Sequence, residues 1–334
     1  MEQIGNLITE RDIDNVLARI ELQEVRPASE WRQAALDPEN DVLGRQLPWG
    51  KAQGRFDLRP AEVTIWGGES GAGKSLVLGQ VIAWQQPNYR AMIASMEMPP
   101  LVTLRLMASQ MYGGPAPRDY VASWLEWTGK GEDSRLFIYD KLETVPWKRM
   151  LAIVTLSAER LRLHDIVIDS LTMCGFAGES TPDQQVQFVR GLTRIVKSTG
   201  VHIHLVCHRR KGEAHGAETN KWDVRGPSEL TDIVDNVLLL SRNREKEEEV
   251  DRLTNDKKPI PQETLDRYDT FLRVGKQRHH PSWEGKLGFF FHKPSGQLTA
   301  AQGAPIPWPD GSKPLPFSWR RTETYPDADD FTDF

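Results

Sequence analysis

Eight residues, Gly68–Ser75 (GESGAGKS), constrain this chain more than any other stretch. They follow the strand-like VTIW and precede the apolar, helix-like LVLGQVIAW. Gly68-x-x-x-x-Gly73-Lys74-Ser75 at a strand-to-helix turn is the Walker A pattern. Its glycines let backbone N–H groups curl around phosphate oxygens, and the helix N-terminus adds partial positive charge. Gly68, Glu69, Ser70, Gly71, Ala72, Gly73, Lys74 and Ser75 are therefore candidate contacts to ATP or another nucleoside triphosphate. Lys74 is placed to reach the β- and γ-phosphates, and the Ser75 hydroxyl to ligate Mg²⁺.

What surrounds the loop sets the fold class. Strand-like runs at Val63–Trp66, Ala91–Ser95, Leu136–Tyr139, Asp165–Ile168, Ile203–Cys207, Asn236–Leu240 and Thr270–Val274 alternate, in the earlier part, with helical patterns. Those helices are predicted at Ser75–Gln85, Leu101–Met111, Pro146–Leu161 and Asp183–Ser198. Such alternation predicts an α/β fold, a mainly parallel sheet with helices on both faces. Residues 47–302 are expected to form this domain. Residues 1–46 are read as an N-terminal helix, with Ile13, Val16, Leu17 and Ile20 on one face, followed by a linker through Pro27–Pro48. That helix either packs on its own domain or docks on another subunit. Residues Asn243–Tyr268 read as a charged, solvated excursion, and 303–334 as a Pro-rich and then acidic tail.

With 39% hydrophobic and 27% charged residues, the chain belongs with globular proteins rather than disordered ones. No apolar run approaches a membrane span, so no membrane partner is expected. Cys174 and Cys207 lack metal-site spacing, which fits a reducing, cytoplasmic setting. A formal net charge of −5 argues against a uniformly basic surface but leaves room for a local basic channel.

Two carboxylates could complete the phosphate site. Asp169 ends the apolar strand DIVID, where a Walker B carboxylate holds Mg²⁺ through water; the same residue could instead cap the next turn. Glu97 follows the strand AMIAS, where it could orient an attacking water or simply sit at a strand exit.

The order GESGAGKS, SMEMPP, VIDSLT, LVCHRRKG, DVRGPSEL, GKQR resembles the hexameric replicative DNA helicases of the DnaB type. The helicase domains of podophage primase-helicases and of Twinkle share it, and all carry a RecA-like P-loop ATPase core. The resemblance runs from about Leu47 to Leu298. It implies that Glu97 is the catalytic base and His208 a γ-phosphate sensor. It further implies that Arg278, with Lys276 beside it, reaches across a subunit interface as an arginine finger. The loop Arg209–Arg225 would then line a central channel and grip single-stranded or forked DNA. Arg225 and Gly226, in the segment DVRG, and Arg210, Lys211 and Lys221 are the contacts so implied; Pro227 stands where the family usually has Ser. Arg242 and an aromatic from Phe289–Phe291 could sandwich the base, although a buried strand accounts for at least two of those phenylalanines.

A homo-hexameric ring, phage origin, and primase supplied by another chain are what the resemblance implies. The ending DADDFTDF either solubilises the chain or docks on a polymerase, with Phe334 entering an apolar pocket and the aspartates supplying salt-sensitive attraction. A recombinase-like filament ATPase and a helicase-related loader or regulator are the alternative functions.

Overall fold

Strand β3 (Val63–Gly68) organises the molecule, and all six of its residues are buried. Val63, Thr64 and Ile65 are β-branched, and such residues suit a central strand covered on both faces. The computed structural model describes residues 27–36, 44–86, 88–176, 181–209, 224–279 and 283–303. The chain divides into two compact units, Met1–Leu43 and Gly44–Phe334. In the first, a 3-10 turn (Ala28–Trp31) leads into a short helix, α1 (Arg32–Leu36), so part of the segment expected as linker is helical. The predicted N-terminal helix and the acidic tail, including Phe334, lie outside the described residues.

The second unit opens with a small antiparallel pair, β1 (Arg45–Gln46) and β2 (Asp57–Leu58). Leu47 and Trp49 are buried, so the linker expected up to Pro48 ends earlier than composition suggested. The main sheet also contains β4 (Ala91–Ser95), β5 (Leu136–Ile138), β6 (Asp165–Asp169), β7 (His202–His208), β8 (Asn236–Arg242), β9 (Thr270–Gln277), β10 (Gly285–His292) and β11 (Gln297–Thr299). Their order across the sheet is β11-β10-β9-β8-β3-β7-β6-β4-β5. From β8 to β5 neighbours run parallel; β9, β10 and β11 add antiparallel pairs at the other end.

Further helices connect or cover these strands among the described residues. They are α2 (Lys74–Gln85), α3 (Pro100–Tyr112), α4 (Arg118–Trp127), α5 (Trp147–Leu161), α6 (Thr181–Thr199), α7 (Glu229–Ile233) and α8 (Arg244–Asn255), and a short α9 (Gln262–Asp266) follows. In α6 the buried stripe Phe188, Val189, Leu192, Ile195 and Val196 has the three-and-four spacing of one helical face. Because strand side chains alternate, the sheet feeds two cores. Val63, Ile65, Ile166, Ile168, Ile203 and Leu205 face α5 and α6, whereas Trp66, Val167 and Val206 face α2 and α3. Among the described residues no helix is long and apolar enough to cross a membrane.

One expectation is refined and one needs correction. Asn243–Tyr268, expected as a charged, solvated excursion, is mostly exposed or half-exposed and carries α8 and α9. Asn243 Oδ1 caps α8 by accepting from the Lys246 amide at 3.2 Å, and Glu245 and Glu247 occupy its first turn. In the triple phenylalanine, strand alternation buries Phe289 alone, leaves Phe290 half-buried and exposes Phe291.

A buried polar chain lies beneath the far end of the sheet. Asp165 receives the Arg45 guanidinium on both oxygens, and His204 Nε2 lies 3.1 Å from Asp165 Oδ1. Trp66 Nε1 donates to His204 Nδ1 at 3.1 Å, His202 Nε2 lies 2.9 Å from Thr64 Oγ1, and Asn236 Nδ2 bridges Thr64 and Glu62. Burial pushes the Glu62 carboxyl up and the His202 imidazole well down, so each disfavours its charged form.

Candidate active site

The parallel strands bring their C-terminal ends into register. Gly68 pairs with His208 on one side and Leu240 on the other, and Ser95 pairs with Asp169. The Walker A loop, both candidate carboxylates and His208 thus share one edge, the place where ligands bind in open α/β sheets.

At Gly68, φ is +157°, and a Cβ would stand 2.5 Å from the Leu240 carbonyl oxygen, so only glycine permits this approach of loop to strand. Lys74 opens α2 and is buried; its ammonium donates to the carbonyls of Gly68 at 3.0 Å and Glu69 at 2.7 Å. Burial lowers its pKa, and the nearby charges of Asp169, Cys207, Glu97 and Glu69 work the other way. A bound polyphosphate would add to the second influence.

Ser75 Oγ donates directly to Asp169 Oδ2. Burial raises the Asp169 pKa, whereas the Ser75 hydrogen bond lowers it. A hydroxyl and a carboxylate in contact form a hard-oxygen donor pair that fits Mg²⁺, which takes one or two protein oxygens and completes its shell with phosphates and water. Among the described residues no cluster of three or more His, Cys, Asp or Glu could act as an all-protein metal cage.

Glu97 leaves the end of β4, half-exposed. Ser170 Oγ donates to Glu97 Oε1 at 2.7 Å and lies 2.6 Å from Thr172 Oγ1, while His208 Nε2 is 3.8 Å from the same Glu97 oxygen. Glu97, Asp169 and His208 therefore surround one space facing the loop. Ser170 was not foreseen; its signal is its place directly after the strand-end aspartate.

A second unforeseen group lies behind the loop. Glu69 pairs with Arg209 at 3.4 Å and with Arg244 at 3.6 Å, joining the Walker A loop to the start of the 209–225 segment and to α8. Arg242 Nη1 donates to Gly71 O at 3.4 Å, and its Nε donates to Glu247 at 2.5 Å, so this arginine borders the loop. Phe291 is the exposed member of its triplet.

The DNA-contact candidates are only partly described. Arg210, Lys211 and Lys221 lie outside the described residues. Arg225 is exposed, and its amide donates to His208 O at 2.7 Å, so the chain returns against the end of β7. At Gly226, with φ of +128°, a Cβ would meet Leu230 Cδ1 at 2.7 Å, which explains a glycine at the entry to α7.

Lys276 and Arg278 lie at the opposite end of the sheet from Lys74. The Arg278 amide donates to Asp235 O at 3.0 Å and the Asp235 amide to Val63 O at 3.1 Å, which fixes Arg278 beside the first residue of β3.

The sheet order and the strand–loop–helix at its centre define a RecA-like P-loop fold. Residues 53–214 match the family model of the AAA domain. The structure is similar to a solved ATPase domain, with TM-score 0.59 and 14% identity over 87% of this chain and 99% of that one. It is also similar to a DnaB-like replicative helicase determined for its interactions with primase. There the TM-score is 0.58 and the identity 14%, over 87% of this chain and 71% of that one. No curated protein matches the sequence. The resemblance to DnaB-type helicases that the motifs carry thus extends to the fold across most of the chain.

Proposed function

We propose that the protein is an NTP-hydrolysing, ring-forming DNA helicase motor that moves along single-stranded DNA and opens duplex. The observation that carries this is the separation of Lys74 and Arg278. They lie at opposite ends of β3, a six-residue strand spanning about 17 Å, further than an arginine side chain extends. Arg278 cannot serve its own phosphate loop, so as an arginine finger it would act on a second copy's, and a closed ring satisfies every such site.

In this scheme the loop binds the triphosphate and Lys74 meets its β- and γ-phosphates. Ser75 and Asp169 would hold a Mg²⁺ ion, which would neutralise phosphate charge. Glu97, oriented by Ser170, accepts a proton from the attacking water. Arg278 of the neighbouring copy stabilises charge on the transferred phosphoryl group, an effect worth ~10³-fold or more. His208 stands between Glu97 and the chain leading to Arg209, so loss of the γ-phosphate is felt where the DNA segment begins. Arg210, Lys211, Lys221 and Arg225 neutralise DNA phosphates without reading bases. A hexamer, a separate primase and a polymerase docked on Asp327–Phe334 complete the proposal.

Forked-DNA unwinding tests it. The wild-type protein should unwind with NTP and Mg²⁺, whereas Glu97→Gln should bind nucleotide and DNA without unwinding. Failure of the wild type with every nucleotide removes the helicase assignment. Deleting Asp327–Phe334 should weaken polymerase association and leave NTP hydrolysis intact; unchanged association refutes the docking role.

A further inference from the structure

The two residues whose carbonyls hold Lys74 also hold the root of the 209–225 segment. Gly68 O accepts from the Lys74 ammonium at 3.0 Å and from the Arg209 amide at 3.0 Å, so these two donors share its lone pairs. Glu69 O accepts from Lys74 at 2.7 Å, while the Glu69 carboxylate accepts from Arg209 Nη1 at 3.4 Å. The Arg209 side chain is 7% exposed, so solvent and salt screen this pair less than they would a surface pair. Arg209 forms an antiparallel bridge with Val224, and the Arg225 amide donates to His208 O, which brings the two ends of the segment together. Val224 is buried over Gly67, where a Cβ would stand 3.3 Å from Val224 Cγ2. A carboxylate in a loop built for anions opposes phosphate binding unless cations offset it. Arg209 does so, as does Arg244 at 3.6 Å.

We propose that Glu69 is a coupling residue, which passes occupancy of the phosphate loop to the root of the DNA segment through Arg209, beside the route through His208. This rests on the reading of 209–225 as the DNA segment. When Lys74 turns to the β- and γ-phosphates of a bound triphosphate, its ammonium leaves the Gly68 and Glu69 carbonyls. Gly68 O is then left to the Arg209 amide, and the phosphate charge offsets the repulsion between Lys74 and the Arg209 guanidinium. Both changes tighten Arg209 on the loop and, through its bridge to Val224, fix the base of the segment. Triphosphate therefore strengthens binding of single-stranded DNA, and DNA strengthens binding of triphosphate by the same factor. Arg244 shares the Glu69 carboxylate but leads into α8, away from this path.

The test measures the affinity of the full chain for single-stranded DNA by fluorescence anisotropy, with and without a non-hydrolysable NTP analogue and Mg²⁺. The analogue is used at a concentration that a fluorescent-nucleotide titration shows to saturate each variant, and thermal melts check folding. The ratio of the two dissociation constants is the coupling factor, which for coupled sites is about 5- to 150-fold. A substitution that merely weakens one ligand leaves this ratio in place. Glu69→Gln and Arg209→Gln should each lower the factor by ~5-fold or to unity, and the double variant should lose no more than either single one. Arg244→Met should keep the wild-type factor. A wild-type factor in Glu69→Gln, a further loss in the double variant, an equal loss in Arg244→Met, or a factor of 1 in the wild type would each overturn the coupling role. A wild-type protein that binds no DNA in either condition would overturn the DNA segment itself, so the affinities report the function and their ratio reports Glu69. If Arg209→Gln does not fold, Glu69→Gln and Arg244→Met carry the test.

Discussion

Arg45→Met probes how the far end of the sheet is held together. Arg45 donates to Asp165 Oδ1 at 2.7 Å, contacts its other oxygen, donates to Gln85 Oε1 at 2.6 Å and stacks 4.7 Å over the Tyr89 ring. The Asp165 side chain is 1% exposed. Burial alone would raise the Asp165 pKa, but the Arg45 charge and the hydrogen bonds from His204 and Arg45 outweigh it and hold the carboxyl well below the ordinary range. Methionine would fill similar space but strand a buried carboxylate, a change that costs about 3–5 kcal/mol. In a domain of this size that corresponds to a melting temperature lower by about 5–10 °C. The pH dependence has a definite sign. In the wild type the depressed pKa contributes stability that is present above the unfolded carboxylate value of about 3.9 and is lost as pH falls toward the folded value. In Arg45→Met, burial no longer meets its main opponent, the folded pKa rises above the unfolded one, and protonation relieves the strain. The stability gap between the two proteins should therefore narrow from pH 7.5 to pH 5 in urea melts. Hydrolysis at 25 °C should stay near wild type, because Asp165 begins β6 whereas Asp169 ends it. A gap under about 1 kcal/mol, or one that widens in acid, refutes this account of the pair.

Three other outcomes follow from the site and its surroundings. Ser170→Ala removes the 2.7 Å bond that orients Glu97 and should lower kcat by about 10-fold with nucleotide affinity unchanged, measured by single-turnover hydrolysis and nucleotide titration. Gly68→Ala drives a Cβ against the Leu240 carbonyl and should destabilise the chain by about 1–3 kcal/mol while weakening nucleotide binding, read by denaturant melts and a fluorescent nucleotide. Cys174 and Cys207 are buried, and burial raises both thiols to about 12, so neither should react with a thiol reagent at pH 8 until denaturant is added.

The parallel half of the sheet was legible because its strands are continuous apolar runs and its helices carry one apolar stripe. What escaped notice lacked one of these signals. Helix α8 (REKEEEVDRLTN) buries only Lys246 and offers just Val250 and Leu253 as apolar residues, so its apolar stripe is too thin to read, and its marker was the capping Asn243 with acids in the first turn. Helix α4 offered Tyr120 and Trp124, a buried pair four apart, as its only signal. Of the site, Lys74, Ser75, Glu97, Asp169 and His208 could be placed because each stands at the end of a recognisable strand or in the loop itself. Ser170, Arg244 and Asp235 could not: their roles arise from neighbours 73, 175 and 172 positions away in sequence, which only the folded register supplies.

The placement of Lys74 and Arg278 at the two ends of β3 also bears on how damaged copies behave together. Under the proposed function every site takes its phosphate loop from one copy and its finger from the next. A Lys74→Ala chain still offers a sound finger, and an Arg278→Ala chain still offers a sound loop. Two inactive proteins, mixed in equal amounts and reassembled at random, would then form about a quarter of their sites from intact halves. Activity would reappear from a mixture in which no single chain possesses it.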